Sequence, residues 1–339
     1  MKTRFTNAFS LNTPIALAPM ALASGGELAA TCARAGALGL LGGGYGELPW
    51  LQREHALALS LLNDDPAGLQ RLGCGFITWK MDQDASALDW LLDQPHTPAA
   101  LMLSFGDPRP YASRIAKRGV PLICQIQRLE QLPACLEAGA TVIVAQGAEA
   151  GGHGMHAMQS RATFTLVPEI ADALTRQSPQ TLLLAAGGIA DGRGLAAALM
   201  LGADGVLMGT RLWASAQCLA SNGAKSVALQ ATGDGTARTA VFDVLRRKAW
   251  PAEFDFRALR NRLHREWESR MEELRTAPDA ARADYEAGVA AQDFERAHVT
   301  VGEAVGLLHD APDAQVLIER ITQQAKDLLA DAQTVKSSA

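Results

Sequence analysis

His153 stands in Ala150-Gly151-Gly152-His153-Gly154, a stretch with almost no side-chain bulk beside the imidazole. A loop of that kind lets backbone and ring crowd a flat ligand, and an imidazole placed there can serve as a general base near neutral pH. A structural loop histidine is the plainer alternative. Two other places hold small residues next to polar backbone: Gly187-Gly188 and Gly209-Thr210. Backbone N–H groups approach a phosphate closely only where no Cβ intervenes, so these pairs suit an anion; tight turns would explain them too. Thr210 adds a hydroxyl donor, and Arg211 can support the charge. His153 and His156 form HxxH with Glu149 upstream, but the intervening glycines favour a loop and no further ligand cluster is near, so no metal is expected. His55, His264, His298 and His309 fall in polar helical segments and are expected at the surface; His96 lies in a turn between Pro95 and Pro98. Neither GxSxG nor a P-loop occurs.

These groups need a scaffold, and eight short apolar runs supply one: Pro14–Met20, Ala37–Gly42, Cys74–Trp79, Ala100–Phe105, Val120–Ile126, Thr141–Gln146, Leu182–Ala186 and Gly205–Gly209. None alternates with polar residues, as expected of parallel strands covered on both faces. Ala/Leu-rich amphipathic segments separate them, including Glu27–Ala35, Glu54–Leu62, Tyr111–Arg118, Leu166–Arg176 and Gly194–Leu201, and several end at a glycine such as Gly36, Gly119, Gly139 or Gly202. Eight βα units predict a (β/α)8 TIM barrel over residues 1–220, of the α/β class. A doubly wound sheet would carry a GxGxxG turn after its first strand; Ala18-Pro19-Met20 is not one, nor is Gly42-Gly43-Gly44-Tyr45-Gly46 after the second. In a barrel, ligands bind at the C-terminal strand ends, where His153, Gly187-Gly188 and Gly209-Thr210 all fall, and where Met20, Tyr45, Trp79, Phe105 and Met208 can line an apolar pocket.

Beyond residue 220 the texture changes. Asn222–Gly235 reads as a linker, and Phe256–Ala291 is dense in Arg and Glu at helical spacing, with Trp250, Phe254, Trp267 and Tyr285 as anchoring aromatics. A smaller, mostly helical appendage over 221–299 follows, then C-terminal helices over 300–339 that return to the barrel.

Composition narrows the function. Across 339 residues, 31 Lys+Arg against 36 Asp+Glu give a net charge of −5, without the basic face that nucleic acid requires. The one tight basic cluster, Arg246-Arg247-Lys248, reads as a solvated helix end. Five cysteines, with no CxxC, all sit in apolar stretches, as buried reduced thiols of a cytoplasmic protein would. The start resembles a signal peptide, but Pro14 and Pro19 break its apolar run, and no segment reaches the roughly 20 apolar residues of a membrane span.

Three segments together are specific enough to suggest a family. Val144-Ala-Gln-Gly-Ala-Glu-Ala-Gly-Gly-His153, Leu184-Ala-Ala-Gly-Gly-Ile-Ala-Asp-Gly-Arg-Gly194 and Val206-Leu-Met-Gly-Thr-Arg211 resemble the nitronate monooxygenases, formerly 2-nitropropane dioxygenases; Ala18-Pro19-Met20, Arg260-Asn261-Arg262 and Gly302–His309 fit as well. The resemblance implies an FMN-bound TIM barrel with a helical second domain. It also implies oxidation of alkyl nitronates, and of nitroalkanes, with O2 to a carbonyl compound and nitrite, by single-electron transfer to the flavin. Carried onto this chain, it assigns Pro19, Met20, Thr78, Gln125, Gln146, Gly151 and Gly152 to the flavin. Leu207 is assigned to the flavin as well, Gly187, Gly188, Met208, Gly209 and Thr210 to its phosphate end, and His153 to the catalytic base. Thr78 stands where the family usually has Asn, and Ser104-Phe105-Gly106-Asp107 lacks a histidine that many members carry. Relatives that share the Ala-Gly-Gly-His loop include FMN-dependent NAD(P)H oxidoreductases, the quinone reductases and enoyl-acyl-carrier-protein reductases, and the sequence leaves that alternative and the oligomeric state open. A non-redox, phosphate-binding barrel such as an isomerase or aldolase is the rival from another class.

Overall fold

The computed structural model describes residues 1–337, with side chains through Asp331; the last two residues of the expected C-terminal segment, 338–339, lie outside the described residues. Eleven strands form: β1 Ile15–Leu17, β2 Gly39–Gly44, β3 Leu72–Ile77, β4 Leu101–Ser104, β5 Leu122–Ile126, β6 Val142–Gln146, β7 Gly152–Met155, β8 Leu182–Ala186, β9 Gly205–Met208, β10 Thr236–Thr239 and β11 Phe254–Leu259. Eight of them pair in the order β1-β9-β8-β6-β5-β4-β3-β2, all parallel. The two ends meet where Leu17 donates to Leu38 at 2.8 Å and Leu38 donates to Ile15 at 3.0 Å, which closes the barrel. Each expected apolar run therefore holds one barrel strand.

Closure sorts side chains by parity. Along β6, Val142 and Val144 point inward with Leu38, Leu40, Met102, Ile123, Leu182, Leu184 and Leu207, while Ile143 and Ala145 pack against the outer helices. Phe5, on the short helix Arg4–Ala8, is fully buried in the inward group and plugs the barrel floor. The result is a packed interior, not a pore, and the next inward residue along several strands opens onto the C-terminal mouth.

Outside the barrel, the structure corrects parts of the sequence reading. The stretch around His153, expected to be a loop, is strand β7; it pairs antiparallel with β11, which pairs in turn with β10. The appendage thus contains a three-stranded sheet whose third strand comes from the barrel side. Its helices, Val241–Leu245, Arg262–Trp267, Met271–Thr276 and Asp279–Ala291, gather round Phe242, Phe256, Leu263, Leu274 and Tyr285. Part of the expected linker is the helix Asn222–Leu229. The long helix Ala314–Ser337 packs on Gly192–Met200 and Gly26–Arg34, and Thr322 meets Thr13 at 2.6 Å. No described helix is long and apolar enough to cross a membrane.

Candidate active site

The barrel mouth opens into a cavity of about 860 Å³. Pro19, Met20, Gln125, Gln146, Gly151, Gly152, His153, Gly187, Gly188, Leu207, Gly209 and Thr210 all line it. Three expected residues do not: Thr78, Met208 and Trp79, whose indole packs on Tyr45 and Trp250 instead of lining the cavity. Thr78 is fully buried at the start of the helix Thr78–Met81, and its hydroxyl has no hydrogen-bond partner among the described residues; Met208 packs in the helix layer beneath. Parity explains Met208, because Leu207 and Gly209 on either side of it face the mouth. Thr78 is lost for another reason: β3 ends at Ile77, and the chain turns there into a helix that carries the hydroxyl away from the mouth. Arg211 also turns away: its guanidinium is buried against the carbonyls of Ala214 and Asp310.

One wall is made of glutamines and the backbone they hold. Gln146 Oε1 accepts from Gln125 Nε2 at 3.0 Å and from Gln127 Nε2 at 2.8 Å, and Gln146 Nε2 donates to the carbonyl of His153 at 3.1 Å. Gln125 Oε1 stays free for a ligand among the described residues. Gln127 completes this network and carries no sequence signature.

The opposite end is mostly bare backbone, with the Thr210 hydroxyl as its side-chain donor. Gly187 and Gly188 take φ of +100° and +72°, where an L side chain is strained, and a Cβ on Gly188 would meet Glu149 at 3.4 Å. No acceptor among the described residues takes the N–H groups of Gly187, Gly188 or Gly209. The Thr210 hydroxyl accepts from Gly302 N at 2.9 Å, which leaves its own hydrogen to donate. Beside it, Glu149 is held by Thr163, through N at 3.0 Å and Oγ1 at 2.8 Å.

The imidazole is tightly enclosed. His153 Nε2 lies 3.0 and 3.1 Å from the two carboxylate oxygens of Asp243, on the helix Val241–Leu245. His156, three residues on, turns instead to Asp255 at 3.6 Å. The indole of Trp250 lies parallel to His153 with centroids 3.4 Å apart, and Phe256 lies at 4.8 Å. Burial drives the His153 pKa down to about 4, against the opposing pull of Asp243. The ring is therefore neutral at pH 7 and carries a lone pair.

Around Trp250 sits a second cluster that the sequence reading mostly missed. Tyr45 Oη accepts from Trp250 Nε1 at 2.9 Å and from Arg246 at 3.4 Å, and the Lys248 ammonium lies 4.0 Å over the Tyr45 ring. Arg246 also stacks on Phe256 at 4.6 Å. Both cations line the cavity, so this basic cluster is not a solvated helix end; only Arg247 turns outward, to Glu286. Phe105, 5.1 Å from Trp250, holds φ +64°, a strained value for an aromatic residue at a strand end. His55 and His264 are buried rather than exposed, and His298 lines the cavity with Nδ1 2.7 Å from Tyr285 Oη. The signal for Asp243 was present: one carboxylate inside the otherwise apolar run Val241-Phe242-Asp243-Val244-Leu245.

Comparison with known proteins agrees with this geometry. A profile described as nitronate monooxygenase matches residues 77–324. The chain is 36% identical to nitronate monooxygenase npaC of Metarhizium robertsii, covering 92% of this chain and 90% of that protein. It is 30% identical to the nitronate monooxygenase of Neurospora crassa, covering 93% and 90%. Among solved structures, FabK of Thermotoga maritima superposes with a TM-score of 0.82 at 26% identity, covering 99% of each chain.

Proposed function

The chain belongs to the nitronate monooxygenase family and is an oxidoreductase, and from that premise we propose that it binds FMN and oxidises alkyl nitronates with O2 to a carbonyl compound and nitrite. The observation that carries this reading is a neutral imidazole on one side of the cavity and a side-chain-free patch of unpaired backbone N–H groups on another. The residues present fit the flavin. The N–H groups of Gly187, Gly188 and Gly209 and the Thr210 hydroxyl would hold its phosphate. Met20, Gly75, Gln125, Gln146, Gly151 and Gly152 would meet its ring; a Cβ at position 75 would strike Pro19 at 2.3 Å, which keeps that wall thin. When bound, the flavin supplies the electron acceptor for the nitronate and the route to O2.

The chain's own residues do the rest. Arg246 and Lys248 give the cavity a positive wall with no carboxylate in ion-pair range among the described residues, so it attracts an anionic nitronate. Trp250, Phe105, Phe254 and Tyr45 exclude water beside His153. Where the neutral nitroalkane is the substrate, His153 removes the proton on carbon. His153→Gln should retain flavin while turnover of a neutral nitroalkane falls at least about 100-fold and that of a preformed nitronate far less. The identity of the reaction is tested by anaerobic mixing of purified protein with propyl-2-nitronate. Bleaching of the flavin, and nitrite after air is admitted, are expected. A flavin that ignores the nitronate and is reduced rapidly by NADH would replace this reading with the NAD(P)H oxidoreductase alternative, which the likeness to FabK favours.

A further inference from the structure

Asp243 is a buried carboxylate with a single hydrogen-bonding partner. It is 4% exposed, and among the described residues only His153 Nε2 reaches its oxygens. Its helix buries Val241, Phe242, Asp243 and Leu245 together, so an apolar residue would suit the packing better. A carboxyl group buried among apolar side chains with one partner is costly to desolvate, and that cost is an argument against a purely structural role.

We propose that Asp243 is a positioning residue that sets the tautomer of His153 and so makes Nδ1 its basic nitrogen. The carboxylate accepts only from a protonated Nε2, and the lone pair is then left on Nδ1, which makes no hydrogen bond to the described protein. The parallel indole of Trp250 fixes the ring plane, and the Tyr45 hydroxyl anchors that indole in turn. This assignment rests on the reading of His153 as a base. In the step it serves, the C–H bond of a neutral nitroalkane breaks and its proton forms an N–H bond at Nδ1. The electron pair moves onto the nitro oxygens, which gives the nitronate. Asp243 takes no proton; it holds its bond to Nε2–H and stabilises the imidazolium. A preformed nitronate has no such proton to lose, so Asp243 matters little to it.

The test compares the flavin-loaded wild type, the isosteric Asp243→Asn, and His153→Gln. Nitrogen NMR of histidine-labelled wild type should find His153 as one tautomer with the proton on Nε2. In Asp243→Asn the amide can also donate, so the single tautomer is lost. Turnover of a neutral nitroalkane should fall at least about 100-fold in that variant, with KM little changed, while turnover of a preformed nitronate stays within about threefold. A proton found on Nδ1 in the wild type overturns the proposal. So does Asp243→Asn with wild-type nitroalkane turnover when His153→Gln is inactive. Full nitroalkane turnover in His153→Gln instead removes the base reading itself, and the proposal falls with it.

Discussion

At the scale of single residues, the cavity divides into an end lined mainly by bare backbone and an end lined by side chains. Gly188→Val places a branched side chain at φ +72° and against Glu149, so flavin should be lost on gel filtration, as visible absorbance per protein reports. Arg246→Ala removes half of the positive wall. KM for an alkyl nitronate should rise about tenfold, equivalent to about 1.4 kcal/mol, with kcat little affected, and the difference should shrink in high salt. The sequence disclosed most of the lining because small residues at strand ends are visible in one dimension. It misassigned Met208 because a strand reverses face at every residue, and Thr78 because the chain leaves β3 for a helix at that position.

At the scale of elements, β7 joins barrel and appendage. Arg238, on β10, donates to the carbonyls of Ala148, Ala150, Gly152 and Asp255 and so ties the Gly-rich segment to the small sheet. Burial lowers its pKa to about 10, which still leaves it charged at pH 7. Arg238→Met would leave the Ala150 carbonyl unpaired and take one donor from the others, although Arg257 still reaches Ala148. The expected loss is about 3 kcal/mol in urea denaturation, with weaker flavin retention. This arrangement was hidden from sequence for a physical reason. Gly151-Gly152 has no strand propensity and pairs only because β11 arrives from some 100 residues away, as the register Phe256 to His153 records. The barrel strands were legible because each is apolar on both faces and needs no distant partner to identify it.

At the scale of the whole molecule, buried histidines set the acid limit. His55, His153 and His264 are held down to about 4, and His298 to about 3, chiefly by burial. Their unfolded value is 6.5, so above that pH neither state gains protons at these groups. On acidification from 6.5 toward 4 the unfolded chain binds protons that the folded one refuses, and stability falls across that window. Melting temperature should be nearly level above pH 7 and decline steadily below 6.5; a level melting temperature down to pH 5 would contradict the burial of these rings. Phe5→Ala, which empties the barrel floor, should cost about 3–5 kcal/mol while leaving the mouth and its ligand intact, as denaturation with and without added flavin would separate.

All five cysteines are interior; burial raises the pKa of Cys32, Cys74 and Cys218, and a hydrogen bond with Cys135, then burial, raises that of Cys124. The folded surface therefore presents no thiol to a coloured disulfide reagent, which should register nothing until denaturant is added. That silence is useful for spectroscopy: Met158→Cys, at a site now 87% exposed, would create a lone handle for a fluorescent or spin probe, attached without first stripping the native thiols.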